Sequence, residues 1–489
     1  MKSAKRSSGA FIARQRWWVL GVLGLAQLMV VLDGTIINIA LPSAQQDLGF
    51  GDESRQWLVT GYALAFGSLL LLGGRLGDFF GRKPMFIVGL AGFAVASAVG
   101  GLTDSFSALL TARVAQGVFG ALLAPAALSL LSITFTTRAD RVKAFAIFGA
   151  VSSAGGAVGL LLGGVLTEYA SWRWCLFVNL PIAAIALAGS ALIAKEAKPA
   201  RQPLDLPGVF TAALGLVGIV FGLANAERDG WVATGTLLPI IVGLGLLLSF
   251  VLIERRAAFP LLPLRVVLDR NRGAAYLTSV IVNAGLLGVF LFGTYYMSTI
   301  LEFTPVQTGL AFLPTAAAIA LTTTVAGSRV GSRFGPRSLV TAGGLVSAAG
   351  LALLLRTSTD SAYASDVLPG LIVLGVGLGL IYARLQDAAT AGTTTEDAGV
   401  ASAMANTSQQ IGGSIGTALL SSIAASAAAS FVAGTAPTAT LAAEAAVHSY
   451  HVAFAVAAGF YLLCAIVGAA GFRSRTGSPG HRTSKEEEL

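Results

Sequence analysis

The sequence predicts an all-α, polytopic membrane protein with fourteen transmembrane helices and both termini in the cytoplasm. Three observations carry that expectation. Only 11% of the 489 residues are charged and 55% are hydrophobic, with a mean hydropathy of +0.77, against roughly 25% charge in a soluble domain. Apolar runs near the ~20 residues needed to cross a bilayer core recur from end to end. Lys and Arg collect almost entirely in short loops on one side of those runs, the pattern that fixes membrane orientation.

Residues 1–16 are basic and form a cytoplasmic N-terminal segment. The apolar run that follows, about 25 residues, is too long for a signal-peptide core and shows no clear cleavage site, so it reads as a retained first helix. Successive apolar runs centre near Met29, Ala65, Phe93, Ala121, Gly155, Ala184, Gly215, Gly243, Gly285, Ala318, Ser347, Gly375, Gly413 and Phe460. Short charged or Pro/Gly-rich loops separate them. With the N-terminus inside, Arg55, Arg173, Arg228 and Arg356 fall outside and Arg113 lies within a helix. The rest of the 32 Lys and Arg are cytoplasmic. An even number of spans returns the chain to the cytoplasm at Arg473 and Arg475, before a polar tail ending Glu486-Glu487-Glu488 that reads as disordered.

A repeat organises these spans. Gly74-Arg75-Leu76-Gly77-Asp78-Phe79-Phe80-Gly81-Arg82-Lys83 after helix 2 is echoed by Gly327-Ser328-Arg329-Val330-Gly331-Ser332-Arg333-Phe334-Gly335-Pro336-Arg337 after helix 10. Two six-helix halves explain the echo, and both loops stay cytoplasmic only if the two spans between Leu204 and Glu254 are an insert. The expected organisation is an N-terminal bundle at 17–200, a two-helix insert at 201–256, a C-terminal bundle at 257–472 and a cytoplasmic tail at 473–489.

Composition also excludes function classes. A net charge of +8 brings no basic cluster with interleaved aromatics, so a nucleic-acid partner is not expected. Cys175 and Cys464 sit far apart in apolar runs and imply neither a disulfide framework nor a metal site. No G-x-x-x-x-G-K-[ST] loop is present for an ATP-driven pump. The three histidines, His448, His451 and His481, share no helix with another titratable cluster, so an intramembrane enzyme is not expected. Gly412-Gly413-Ser414-Ile415-Gly416 matches the pattern G-x-S-x-G, but without the strand-to-helix elbow or the His partner of a hydrolase it reads as small-residue packing.

Leu32-Asp33-Gly34-Thr35-Ile36-Ile37-Asn38-Ile39-Ala40-Leu41-Pro42 in helix 1, together with the Gly74 to Lys83 loop, resembles the fourteen-helix drug/proton antiporter branch of the major facilitator superfamily. The resemblance continues in Arg113-Val114-Ala115-Gln116-Gly117 and in Trp172-Arg173-Trp174-Cys175-Leu176-Phe177-Val178-Asn179-Leu180-Pro181, and so covers nearly the whole chain. It implies a major facilitator fold and export of small molecules against protons. It also implies a cytoplasmic gate closed by contacts of the helix 2–3 loop, for which Gly74, Asp78 and Arg82 are the candidates. From composition alone the same loop reads as a solvated, positive-inside turn. One departure stands out: where the antiporter motif of helix 5 usually has Pro after its first Gly, this chain has Leu160 in Gly159-Leu160-Leu161-Leu162-Gly163-Gly164. Without Pro the helix keeps its hydrogen bond and is less inclined to kink.

Asp33 and Arg113 are the ionisable residues placed inside the membrane, where such groups mark function and need a partner. Arg113, about two turns from the outer end of helix 4, reaches a depth compatible with Asp33. Burial and a neighbouring guanidinium act in opposite senses on a carboxyl's proton affinity, so a conformational change that separates the pair would switch it. The alternative is a purely structural ion pair. One elementary charge crossing the membrane is worth about 2.3 kcal/mol per 100 mV and about 1.36 kcal/mol is tenfold, so one titrating site supports roughly fifty-fold accumulation.

Asn38, Gln116, Asn406 and Gln410 are candidates for the substrate pathway. The amides of helix 13, with Gln409, are equally suited to hold two helices together. Tyr295 and Tyr296 are expected as interfacial anchors, with stacking against substrate as the alternative, and Arg384 with Asp387 as a local pair. The expected protein is a secondary transporter of the bacterial cytoplasmic membrane, working as a monomer in the lipid bilayer on hydrophobic or amphipathic small molecules. The proton is the coupling ion and no cofactor is called for. A proton-driven importer on the same fold, or a transporter-derived sensor, remains open.

Overall fold

A computed structural model describes residues 2–135, 137–194, 205–257, 260–327, 334–393, 398–433 and 440–473. The polar tail, the linker at 195–204 and Ser328 to Arg333 of the echoed loop lie outside the described residues. Helix dominates, with no strand among the described residues, and fourteen helices are long and apolar enough to cross a membrane. They are α1 (Gln15–Leu48), α2 (Ser54–Phe80), α3 (Arg82–Leu102), α4 (Phe106–Thr134), α5 (Lys143–Tyr169), α6 (Trp174–Leu192), α7 (Leu206–Ala226), α8 (Thr234–Arg256), α9 (Arg270–Ile300), α10 (Pro305–Val325), α11 (Pro336–Leu354), α12 (Tyr363–Thr390), α13 (Val400–Ala433) and α14 (Leu441–Gly471). Every apolar centre read from the sequence falls within one of them.

Side-chain caps set several boundaries, because the first amides of a helix have no partner of their own. Ser105 caps α4 through the Ala108 N–H at 3.4 Å, and Asp269 caps α9 through those of Asn271 and Arg272. At α10 Thr304 and Gln307 form a reciprocal capping box. The turn between α2 and α3 is made by Gly81 at φ 101°, a conformation that a residue with a Cβ adopts only under strain.

The two halves repeat one packing pattern. In the first, α1 packs on α5 and α6, α2 on α4, and α3 on α4 and α6; in the second, α9 packs on α13 and α14, α10 on α12, and α11 on α12 and α14. The halves meet along two seams related by the same correspondence, α5 with α10 and α13 with α2. Small residues allow both approaches. A Cβ at Gly164 would lie 2.5 Å from the Pro305 carbonyl oxygen, one at Gly309 would lie 2.5 Å from that of Leu160, and one at Gly67 would lie 2.7 Å from Gln410 Cβ. Within the second half, Gly412 and Gly416 lie against the backbone of Val280 and Ala284, which is the small-residue packing expected of that G-x-S-x-G match.

The insert is a hairpin in which α7 packs on α8 and lies over the α2/α13 seam. Leu216 and Val220 of α7 join Leu64 of α2 and Ala418 of α13 in one apolar cluster, and Ser422 donates to the Leu223 carbonyl at 2.6 Å. The outer face of α8, with Leu238, Ile241, Leu244 and Leu248 exposed, presents apolar side chains to lipid. At the position of the missing proline, α5 runs on without a break and the Leu160 carbonyl abuts Gly309 of α10.

Candidate functional site

Asp33 of α1 lies deep in the first half, fully buried, in a polar network to which α4 and α6 contribute its donors and α2 and α3 their supports. Arg113 of α4 donates through Nη1 to Asp33 Oδ2 at 2.6 Å. The other carboxylate oxygen accepts from Gln116 Nε2 at 2.9 Å and from Asn179 Nδ2 at 2.7 Å. Gln116 and Asn179 also both donate to Ser97 Oγ of α3, at 2.8 and 3.2 Å. Arg113 is held from three further directions: Nε donates to the Leu58 carbonyl at 3.2 Å, Nη1 to Gln116 Oε1 at 2.9 Å, and its guanidinium sits 4.4 Å from the centre of the Tyr62 ring.

The local sequence explains the convergence. Arg113 and Gln116, three residues apart on α4, share one helix face. Asn179 opens the second segment of α6 after a break at Val178 between the helices Trp174–Phe177 and Asn179–Gly189. A buried ion pair persists only when its remaining lone pairs and protons are bonded, and Asp33 meets that demand with three donors. Two groups do not: Arg113 Nη2 and Asn179 Oδ1 are buried with no partner among the described residues.

The sequence reasoning named Asp33, Arg113 and Gln116, and the structure brings all three together. Gln116 is fully buried in the network and takes part in the Asp33 site. Ser97, Tyr62 and Asn179 were missed. Asn179 stands within the Trp172 to Pro181 motif, which gave no sign of its contact with Asp33. Asn38 is also buried, with its side-chain carbonyl unbonded. Asn406 and Gln410 are half-buried on α13, and Gln410 packs against Gly67 across the seam.

The outer ends of the halves are joined by polar contacts. Tyr295 of α9 donates to Gln45 Oε1 of α1 at 2.6 Å, and its ring lies 4.0 Å beneath the Arg55 guanidinium of α2. The Val306 N–H donates to Glu168 Oε2 at 2.9 Å. Tyr295 and Tyr296 are 4% and 2% exposed, so they are not interfacial anchors: one seals the halves and the other donates to the Ser358 carbonyl. Around the rim of the first half, Asp47 at the end of α1 accepts from Trp172 Nε1 and from Arg173, whose Nη2 also reaches Asp104 and the Thr103 carbonyl.

At the cytoplasmic side the stretch expected as a loop is helical but for Gly81: Asp78, one turn beyond Gly74 in α2, pairs at 3.5 Å with Arg82 at the start of α3, and Arg75 donates to the Pro260 carbonyl. The echoed loop that would face them is outside the described residues. Arg384 and Asp387 pair locally at 3.0 Å, as expected.

The sequence profile described as Major Facilitator Superfamily matches residues 23–417. The chain belongs to that superfamily. It is a multi-pass membrane transporter by family, similar over 94% of its length, at 47% identity, to the puromycin resistance protein of Streptomyces alboniger, of which it covers 92%. The cephamycin export protein of Amycolatopsis lactamdurans is 39% identical over 81% of this chain and 82% of its own length. Among solved structures, an auto-inhibited peptide transporter of the POT family superposes with a TM-score of 0.67 at 16% identity, covering 94% of this chain and 98% of that one. That likeness establishes the major facilitator fold.

Proposed function

We propose that this transporter is a proton-coupled exporter of hydrophobic or amphipathic small molecules, antibiotics among them, acting by alternating access in the bacterial cytoplasmic membrane. The observation that carries the reading is the fully buried Asp33 carboxylate, bonded to Arg113, Gln116 and Asn179 drawn from two other helices. Ionisable groups are costly in a membrane interior and there mark coupling-ion paths. The relatives, named for puromycin resistance and cephamycin export, support outward movement and an amphipathic cargo.

In this reading Asp33 exchanges a proton as the helices around it rearrange. Arg113, Gln116 and Asn179 all donate to the carboxylate, so a movement of α4 or α6 changes its partners. The Tyr295 contacts with Gln45 and Arg55 close the outer side, and Gly74, Asp78 and Arg82 serve the cytoplasmic gate. The proton is the coupling ion, no cofactor takes part, and one copy of the chain is the working unit. Asn38, Gln116, Asn406 and Gln410 remain the pathway candidates.

The test uses inverted membrane vesicles with an acidified interior, to which puromycin, a cephamycin and ethidium are added in turn. Collapse of the pH gradient that requires the protein and follows at least one compound is the expected result. An importer moves proton and solute in the same direction, so external solute would leave the gradient intact. No collapse with any compound overturns the reading.

A further inference from the structure

At the cytoplasmic end of the insert, Glu254 in the last turn of α8 is 4% exposed. Its two oxygens accept from consecutive backbone amides, Oε1 from Leu261 at 3.2 Å and Oε2 from Leu262 at 3.1 Å. The carboxylate thus hooks the linker that leads from the insert into α9. On the other side of the hook stands Asp205, the N-cap of α7. Its Oδ1 accepts from the Gly208 N–H at 3.0 Å, and its Oδ2 is buried with no partner among the described residues. The two carboxyls converge on Gly208, where an added Cβ would lie 2.5 Å from Asp205 Oδ2 and 3.1 Å from Glu254 Oε1. One residue before the hooked amides, the Pro260 carbonyl accepts from Arg75 of the first half.

Two carboxylates are acceptors only, and two facing acceptors form a hydrogen bond when one of them carries a proton. The orphaned Asp205 oxygen beside Glu254 therefore marks a place for that proton. We propose that a proton shared between Asp205 and Glu254 holds the linker from the insert to α9 in the position at which Arg75 clasps it, and that loss of this proton frees the first half from the linker. Without the proton the like charges repel, and Glu254 is pushed from the Leu261 and Leu262 amides. Asp205 on α7 is the charged side chain that faces Glu254 across Gly208. Arg255 and Arg256 on α8 are exposed, and Arg75 from α2 meets the linker through its backbone. The device is separate from Asp33 and answers to the cytoplasmic proton alone.

The experiment reads the hook directly and needs no transport. Hydrogen exchange of the full chain, in lipid nanodiscs and followed by mass spectrometry, gives the protection of the Leu261 and Leu262 amides, corrected for the chemical exchange rate. In the wild type, protection falls at least about tenfold between mildly acidic and mildly alkaline pH, as the hook opens locally. Asp205→Asn donates a permanent N–H to Glu254, and Asp205→Ser keeps the α7 cap while removing the facing charge; in both, protection stays high at either pH. Glu254→Gln places a donor against an amide and loses protection at both. Wild-type protection that is independent of pH, or an unchanged pH response in the two folded Asp205 variants, overturns the proposal.

Discussion

The seam between α5 and α10 makes a quantitative prediction. At Gly309 a Cβ would stand 2.5 Å from the Leu160 carbonyl oxygen, 3.2 Å from the Leu160 carbonyl carbon and 3.5 Å from Leu161 Cα. The obstacle is backbone on both sides, about 1 Å inside ordinary contact, so no rotamer relieves it. Gly309→Ala therefore penalises the arrangement in which the outer ends touch, and leaves untouched any arrangement in which they part. Overpacking of this kind costs about 1–3 kcal/mol, which is roughly a five- to 150-fold shift in a two-state equilibrium. The assay places a cysteine at Ala44, fully buried near the outer end of α1, and measures its labelling in intact cells by a membrane-impermeant maleimide. The native Cys175 and Cys464 are buried and serve as background. Labelling should accelerate within that range in Gly309→Ala and not in Gly245→Ala on α8, where a Cβ meets nothing within 4 Å. An unchanged rate, with normal amounts of protein in the membrane, would refute the role given to this seam.

Other outcomes follow from the same geometry. Arg113→Ala strands Asp33 without its cation and should lower stability by about 3–5 kcal/mol, read as a fall in the melting temperature of purified protein. Arg113→Lys should rescue folding only in part, because one ammonium cannot reach the Leu58 carbonyl, Asp33 and Gln116 together. Asn179→Ala removes one charge-assisted bond of about 1.5–3 kcal/mol and should move the pH profile of transport while leaving expression unchanged; an unmoved profile would mean that Asn179 only fills space. Tyr295→Phe loses the bond to Gln45, worth about 1 kcal/mol, but keeps the ring under Arg55, so outer labelling at Ala44→Cys should rise several-fold and less than in Tyr295→Ala.

The fourteen spans were legible because length and apolarity are properties of one segment at a time, and the internal echo placed the two-helix insert before any contact was known. Asp33 and Arg113 were legible for a related reason: an ionisable residue in a lipid-soluble run needs a partner, and few were on offer. Ser97 and Asn179 were not, since a serine among Gly and Ala is unremarked in sequence and Asn179 meets Asp33 from 146 residues away. Tyr295 was misplaced because the aromatic-belt rule reads depth along a helix and not the direction a side chain faces, which here is the opposite half. The hook at Glu254 escaped because a carboxylate in a helix's last turn before a basic pair reads as surface, and its burial follows from how the hairpin folds back on its linker.

The measurement that bears most directly on the central claim compares wild type with Asp33→Asn in acid-loaded inverted vesicles, following the pH gradient and the uptake of the same compound together. The asparagine keeps the shape of the site and cannot exchange a proton. Compound uptake that survives only as downhill exchange, with the gradient left standing, is the predicted result. Full compound-driven collapse of the gradient in Asp33→Asn would contradict the account and return the Asp33–Arg113 pair to a structural role.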